Sequence, residues 1–281
     1  MSMVLVLLLS FSSFNSGSGT FNLYSARTLP YATLNFNASV GGAMQEFGSY
    51  KHVAASSKFG FTYGVIDLLE IYLGTTVYER YAYSGEFFGD EADNEFGWQN
   101  LYGGLKFYIP AVGSTEEGNR SFTWLVGAHL GTAFNPFSPA NHSDIVDSTN
   151  FFDSTYKYNP DLAIDLLNDF EIYPLLAHIN IGYVKRGSLK DAPVGVEMPD
   201  LIRVGGGFEI AAGPFTRFVF EAADIRPAED FQDTLIGTFG IRFLVPKKFS
   251  FDVAVDHVFN DSTDFVPDLT FDEKGQWRFK I

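Results

Sequence analysis

The sequence predicts an all-β fold, an antiparallel transmembrane β-barrel of about twelve strands, with ten to fourteen the range that fits the strand rhythm. Three observations carry that expectation. Apolar and polar residues alternate with a period of two in run after run along the chain. Aromatic residues make up 17% of the sequence, with 30 Phe and 14 Tyr. No apolar stretch reaches the roughly 18–20 residues that a spanning helix needs.

The alternation is plainest in three segments. Phe59, Phe61, Tyr63 and Val65 alternate with Lys58, Gly60, Thr62 and Gly64; Leu101, Leu105, Phe107 and Ile109 with Asn100, Tyr102, Lys106 and Tyr108; Phe249, Phe251, Val253 and Val255 with Ser250, Asp252, Ala254 and Asp256. A strand turns successive side chains to opposite faces, so each run has one apolar face and one polar or small-residue face. In a soluble sandwich the apolar face meets a second sheet. Here it is studded with Phe and Tyr, and the other face carries Gly and charges of both signs, as in strands with lipid outside and a lumen inside. A chain that crosses lipid on strands must close them into a barrel, because an open edge leaves backbone groups without partners.

In chain order, Met3 to Leu9 is apolar and Ser10 to Gly19 is rich in small residues, so residues 1–19 read as a secretory signal, although no Lys or Arg precedes Arg27. Residues 20–281 read as a single barrel domain. Thr20 to Pro30 is an irregular lead-in. Strands then follow at Tyr31–Gly42, Ser56–Gly64, Glu70–Tyr83, Trp98–Ile109, Ser121–Phe134, Pro160–Leu167, Ile172–Lys185, Asp200–Ile210, Phe215–Ile225, Asp233–Val245, Phe249–Phe259 and Gly275–Ile281. Tight turns are expected at Ile66–Leu68, Asn168–Glu171, Ala212–Pro214 and Pro246–Lys248, and longer polar connections after the third, fifth, seventh and eleventh strands. Short turns on one side and long loops on the other are the habit of barrels in the bacterial outer membrane, where the short turns face the periplasm. The last run is shorter than the ~9–11 residues of a spanning strand, so the sequence reads as cut short at its C-terminal end.

The formal charge of −15 argues against nucleic acid as a partner, since phosphates demand a basic surface. Most of the acidic excess falls in the inferred loops and describes a negative outer surface. With no Cys there is neither a disulfide framework nor a Cys-based zinc site, and no cofactor is expected.

The same alternation assigns interior charges. Lys58, Glu70, Arg80, Lys106, Arg203, Glu209, Arg217, Glu221, Arg242, Asp252 and Asp256 are the expected pore-lining residues, and Asp165, Arg278 and Lys280 share their phase. They either line water or knit ion pairs across the lumen. Arg203, Arg217 and Arg242, on three successive strands, form a basic stripe unless Glu209 and Glu221 neutralise it. His129 and His178 also fall on the lumen phase, with nothing in the sequence to bring them together. His257 falls on the lipid phase with Asn260 and Ser262 close by, a set that nucleophilic catalysis would need within hydrogen-bond reach. Gly205–Gly206–Gly207 sits inside a strand, where glycines let bulky neighbours pack or the wall bend.

The lead-in Thr20-Phe21-Asn22-Leu23-Tyr24-Ser25-Ala26-Arg27-Thr28-Leu29, running into Leu34-Asn35-Phe36, resembles the opening of bacterial outer-membrane barrels that often carry an OmpA-like peptidoglycan-binding domain. No such α/β domain follows in this sequence. The terminal Trp277-Arg278-Phe279-Lys280-Ile281 is similar to the closing-strand signal read by barrel-assembly machinery, with Ile in place of the usual Phe or Trp. The resemblance implies an outer-membrane, porin-like or structural envelope protein without enzymatic activity. Its partners would be outer-membrane lipids, lipopolysaccharide, the barrel-assembly machinery and small solutes. A barrel that binds or transports a specific small or lipophilic ligand is the alternative, and an outer-membrane lipid hydrolase a minor one.

Overall fold

The computed structural model of the 281-residue chain describes residues 18–20, 23–47, 50–83, 93–117, 120–134, 160–187, 200–227, 234–245, 249–258 and 277–280. Twelve strands lie within them: β1 (Leu34–Phe47), β2 (Tyr50–Ile66), β3 (Leu69–Tyr83), β4 (Asp93–Glu117), β5 (Arg120–Phe134), β6 (Asp161–Ile172), β7 (Leu175–Lys185), β8 (Leu201–Ala211), β9 (Thr216–Pro227), β10 (Thr234–Val245), β11 (Phe249–Val258) and β12 (Trp277–Lys280). Each pairs antiparallel with its neighbours in the chain, and the ring closes through β12. That closing strand is short: Trp277–Lys280 matches His257–Ala254 of β11 on one side and Met44–Gly41 of β1 on the other.

The alternation sorts the two faces as a membrane barrel requires. On β7, Ile179, Ile181 and Tyr183 are exposed, while His178, Asn180 and Val184 are buried. Leu162, Ile164 and Leu166 of β6, Phe218 and Phe220 of β9, and Phe239 and Phe243 of β10 are exposed in the same way. Glu70, Lys106 and Arg242 are fully buried. Apolar outside and charged inside inverts the distribution of a soluble domain. Lipid is the solvent that makes such an exterior favourable. Outward rings also stack across strands: Phe208, Phe220 and Phe239 form a ladder with centroids 5.0 and 4.9 Å apart, and Trp124 lies 6.0 Å from Phe170.

Strand bounds differ from the sequence reading at several ends, among them the start of β4 at Asp93 instead of Trp98, and three differences matter most. The tight turn expected at Asn168–Glu171 is strand: β6 runs on to Ile172 and the turn is Tyr173–Pro174. The polar run alternates there, with Asp169 buried inside and Phe170 outside against Trp124, so pairing continues to Ile172↔Leu175. β4 was expected to end at Ile109, before Pro110, yet it extends to Glu117. Its register against β5 shifts between Ile109 and Gly113, an irregularity that accommodates a residue with no N–H to give to the ladder. The connection that reads as Pro110–Arg120 is therefore only residues 118–119. The third difference is at β1 and β2, which are longer than expected and pair from Leu34↔Tyr63 to Phe47↔Tyr50.

The lead-in does not lie along the barrel. Ser18–Thr20 and Leu23–Leu29 run inside it, folded back on themselves: Gly19 bridges Tyr24, Ser25 N donates to Ser18 O at 3.0 Å, and Thr20 N to Leu23 O at 2.9 Å. Ser18 and Gly19, which fall in the segment 1–19 read as a signal, thus belong to the barrel interior. The chain then leaves by a turn at Pro30–Thr33, where Ala32 N donates to Gly64 O, and enters β1.

Candidate functional site in the barrel interior

Register explains the interior chemistry. Glu70 of β3 is opposite Lys106 of β4, Lys106 opposite His129 of β5, His129 opposite Asp165 of β6, Asp165 opposite Gly182 of β7, and Gly182 opposite Arg203 of β8. Adjacent strands lie about 4.8 Å apart, so inward side chains in one such row meet. Lys106 Nζ is 3.0 Å from Glu70, His129 Nδ1 2.6 Å from Asp165, and Arg203 donates to both Asp165 oxygens at 2.7 Å. Gly182 makes the last pair possible. A Cβ at that position would lie 1.8 Å from Asp165 Oδ1, so any side chain there would displace the carboxylate.

A second group spans β6 to β11. His178 Nδ1 is 2.7 Å from Asp169, and its Nε2 faces Glu209 at 3.6 Å. Glu209 accepts from Arg217 at 2.8 Å and from Arg242 at 3.4 Å, while Arg242 also reaches Asp252 at 2.9 Å. The expected basic stripe of Arg203, Arg217 and Arg242 is therefore neutralised, with Asp165 on the first and Glu209 shared between the other two.

The lead-in is held by this wall. Glu70 accepts from Ser18 N (3.0 Å), Ser18 Oγ (2.9 Å) and Leu29 N (2.8 Å), and Lys106 donates to Ser18 O (3.0 Å) and Ser18 Oγ. Asp169 accepts from Ser25 Oγ (2.6 Å) and Ala26 N (3.0 Å). Asn180 donates to Tyr24 O at 3.0 Å and Arg242 to Gly19 O at 3.2 Å. Arg27 pairs with Glu171 at 2.5 Å near the short-turn end, and Tyr31 N donates to Asp67. Apolar contacts supplement these. Tyr24 stacks on His129 with centroids 4.3 Å apart, and Tyr72 hydrogen-bonds both Tyr24 and His129. Leu23 seats on Gly205 and Gly207, where an added Cβ would come within 2.4 and 3.2 Å of its methyl groups. The glycine run thus clears room for a bulky neighbour that comes from the lead-in.

Of the expected pore-lining residues, Glu70, Lys106, Glu209, Glu221 and Arg242 are buried in the barrel interior, against the lead-in and one another. Arg203, Arg217 and Asp252 keep partial exposure, at 21%, 30% and 15% of their side chains. Lys58 is half-buried. Arg80 and Asp256 lie in β3 and β11, and their side chains fall outside the described residues, as do those of His257, Arg278 and Lys280. Asn260 and Ser262 lie outside the described residues altogether. His129 and His178 each sit on their own carboxylate, Asp165 and Asp169. Sequence reasoning missed Asp169, because it reads as part of a turn, and missed the inward role of Ser18, Tyr24, Ser25 and Ala26. The signal that points to them is the Leu23-Tyr24-Ser25-Ala26 stretch, which lacks strand periodicity yet is not a plain polar linker.

No family model matches the chain, and no curated protein does. Among solved structures, it is similar to the translocator domain of the autotransporter NalP from Neisseria meningitidis, with 9% identity over 88% of this chain and 85% of that one and a TM-score of 0.40. The Salmonella typhi OmpF, in complex with daunomycin, is 10% identical over 88% and 96% with a TM-score of 0.38. The P. putida toluene transporter TodX is 10% identical over 88% and 75% with a TM-score of 0.39. Likenesses this distant carry nothing about function. By its own geometry, an antiparallel ring with an apolar exterior and a charged interior, the chain is a β-barrel of the outer-membrane type.

Proposed function

We propose that the protein is a non-enzymatic barrel of the bacterial outer membrane that is closed at rest, a structural envelope protein and not an open porin-like pore. One observation carries the reading: the lead-in crosses the lumen and is bonded to β3, β4, β6, β7 and β10. A twelve-strand barrel is only modestly wider than an eight-strand one that side chains alone can fill, so one folded-back segment suffices to occlude it. The implied partners are membrane lipid and lipopolysaccharide around the apolar belt and the assembly machinery that inserts it. The test is single-channel recording of the refolded protein in planar bilayers. A silent bilayer containing demonstrably inserted protein is expected; sustained stepwise conductance overturns the closed reading.

A further inference from the structure

We infer that Ser18–Thr20 with Leu23–Leu29 form a removable plug, and that the wall behind it is a complete conduit for small hydrated ions and polar solutes. The inference rests on the closed-barrel reading and adds a second, conducting state to it.

Three features of the interior carry it. The plug takes no part in the barrel's ladders. Its backbone-to-backbone bonds run within itself, Ser25 to Ser18 and Thr20 to Leu23, and strand-to-strand pairing of the ring is complete without it. Withdrawing it therefore opens no strand edge.

Secondly, apart from the part-exposed Glu171, which pairs with Arg27 of the plug, the wall's paired charges have partners on the wall. Glu70 has Lys106, Asp165 has His129 and Arg203, Asp169 has His178, Glu209 has Arg217 and Arg242, and Asp252 has Arg242. A buried charge left alone is costly, but here departure of the plug strands none of them and admits water to all. The groups left behind, Glu70, Asp165, Asp169, Glu209, Glu221 and Asp252 against Lys106, Arg203, Arg217 and Arg242, carry both signs with an acidic excess. The conduit should accordingly favour cations over anions, weakly, because most of these charges are paired.

Thirdly, the plug is gripped at a few points by groups that also have wall partners. Glu70 and Lys106 clasp Ser18, with Glu70 holding Leu29 N as well, and Asp169 holds Ser25 and Ala26. Leu23 is the tooth, set on Gly205 and Gly207.

The chain has no Cys, so a single reporter thiol can be introduced at Thr20, which is 1% exposed. In the T20C chain, reconstituted in vesicles, the thiol should resist a hydrophilic maleimide. Two variants of that chain release the plug by different routes. E70A/K106A/D169A removes the side chains that hold Ser18, Ser25, Ala26 and Leu29, leaving only the contacts from Asn180, Arg242 and Glu171, while taking out both members of the Glu70–Lys106 pair and leaving His178 beside Glu209. Gly205→Leu keeps every charge and fills the place of Leu23. In either folded variant, labelling should accelerate by roughly tenfold or more, a shift of about 1.4 kcal/mol in the plugged balance, together with the appearance of conductance. A thiol that stays protected in both folded variants overturns the inference, and so does labelling that rises while the bilayer stays silent. Failure of both variants to fold makes the segment part of the barrel's core and also overturns it. Conductance of the unsubstituted protein is a separate outcome, which overturns the closed-barrel reading before any variant is made.

Discussion

Arg242 is the residue on which most interior interactions converge. Its guanidinium is fully buried, donates through Nε and Nη2 to Asp252 at 2.9–3.1 Å, reaches Glu209 at 3.4 Å and touches the plug at Gly19 O. A buried pair contributes little net stability against a well-packed apolar replacement, but removing one partner leaves the other desolvated and alone, at about 3–5 kcal/mol. Arg242→Met should therefore lower barrel stability by about that amount, read from urea unfolding in vesicles. Arg217 shares Glu209, but 30% of its side chain is exposed, and Glu209 keeps Arg242 when it is lost. Arg217→Met should cost roughly 1 kcal/mol or less, in the range of solvent-screened pairs. Equal losses for the two would mean that the interior around Arg242 is wet, and that the packed arrangement described above is wrong.

At the scale of the element, depth in the membrane should decide the cost of a charge. Phe239 lies mid-strand in β10, exposed on the outer face and in contact with Phe220, whereas Phe215 is exposed at the turn between β8 and β9. Arg at the bilayer midplane of a barrel costs roughly 2–4 kcal/mol and near the interface about 0–1. Phe239→Arg should thus destabilise by the larger amount and Phe215→Arg by the smaller, although both replace an exposed Phe; equal costs would mean that no apolar belt lies between them. The strands that carry such residues were legible in the sequence, because the period-two pattern reports the facing of each side chain without any knowledge of partners. Strand ends were less so. Asn168–Glu171 has turn composition, yet its alternation of Asp169 in and Phe170 out belongs to a strand packed against Trp124 of β5, remote in sequence, and against His178 across the hairpin. Interior charges were likewise legible by phase, but their pairing was not, since it depends on which residues face each other across strands. The plug was hidden for a different reason. A segment with its own folded-back hydrogen bonds has no periodicity to read, and its anchors, Glu70, Asp169, Asn180 and Arg242, come from four strands.

For the whole molecule, the decisive variable is the solvent on the outside of the ring. A continuous exterior of Leu, Ile, Val and Phe from β1 to β11 is far beyond the apolar patches that soluble monomers tolerate. The inward face offers it no place to fold onto, because that face is already charged and paired. The aromatic residues toward the short-turn end, Phe122, Trp124 and Phe170 among them, stack with one another on that exterior, where rings at a membrane interface can keep an apolar body in lipid and a polar edge in water. Trp124 does so through its indole N–H, which donates to Asn168 at 3.3 Å. Refolding from urea should therefore succeed only when detergent or lipid is supplied, and the product should be β-rich and heat-modifiable, migrating differently on gels before and after boiling. The native strand content should return cooperatively as the amphiphile passes the concentration at which it assembles, since closure and the loss of water from the exterior are one event for a barrel whose edges cannot be left open in lipid. Cooperative folding to a monomer in plain buffer would show that the exterior described here is covered by protein and not by lipid, and the membrane reading of the fold would have to be given up.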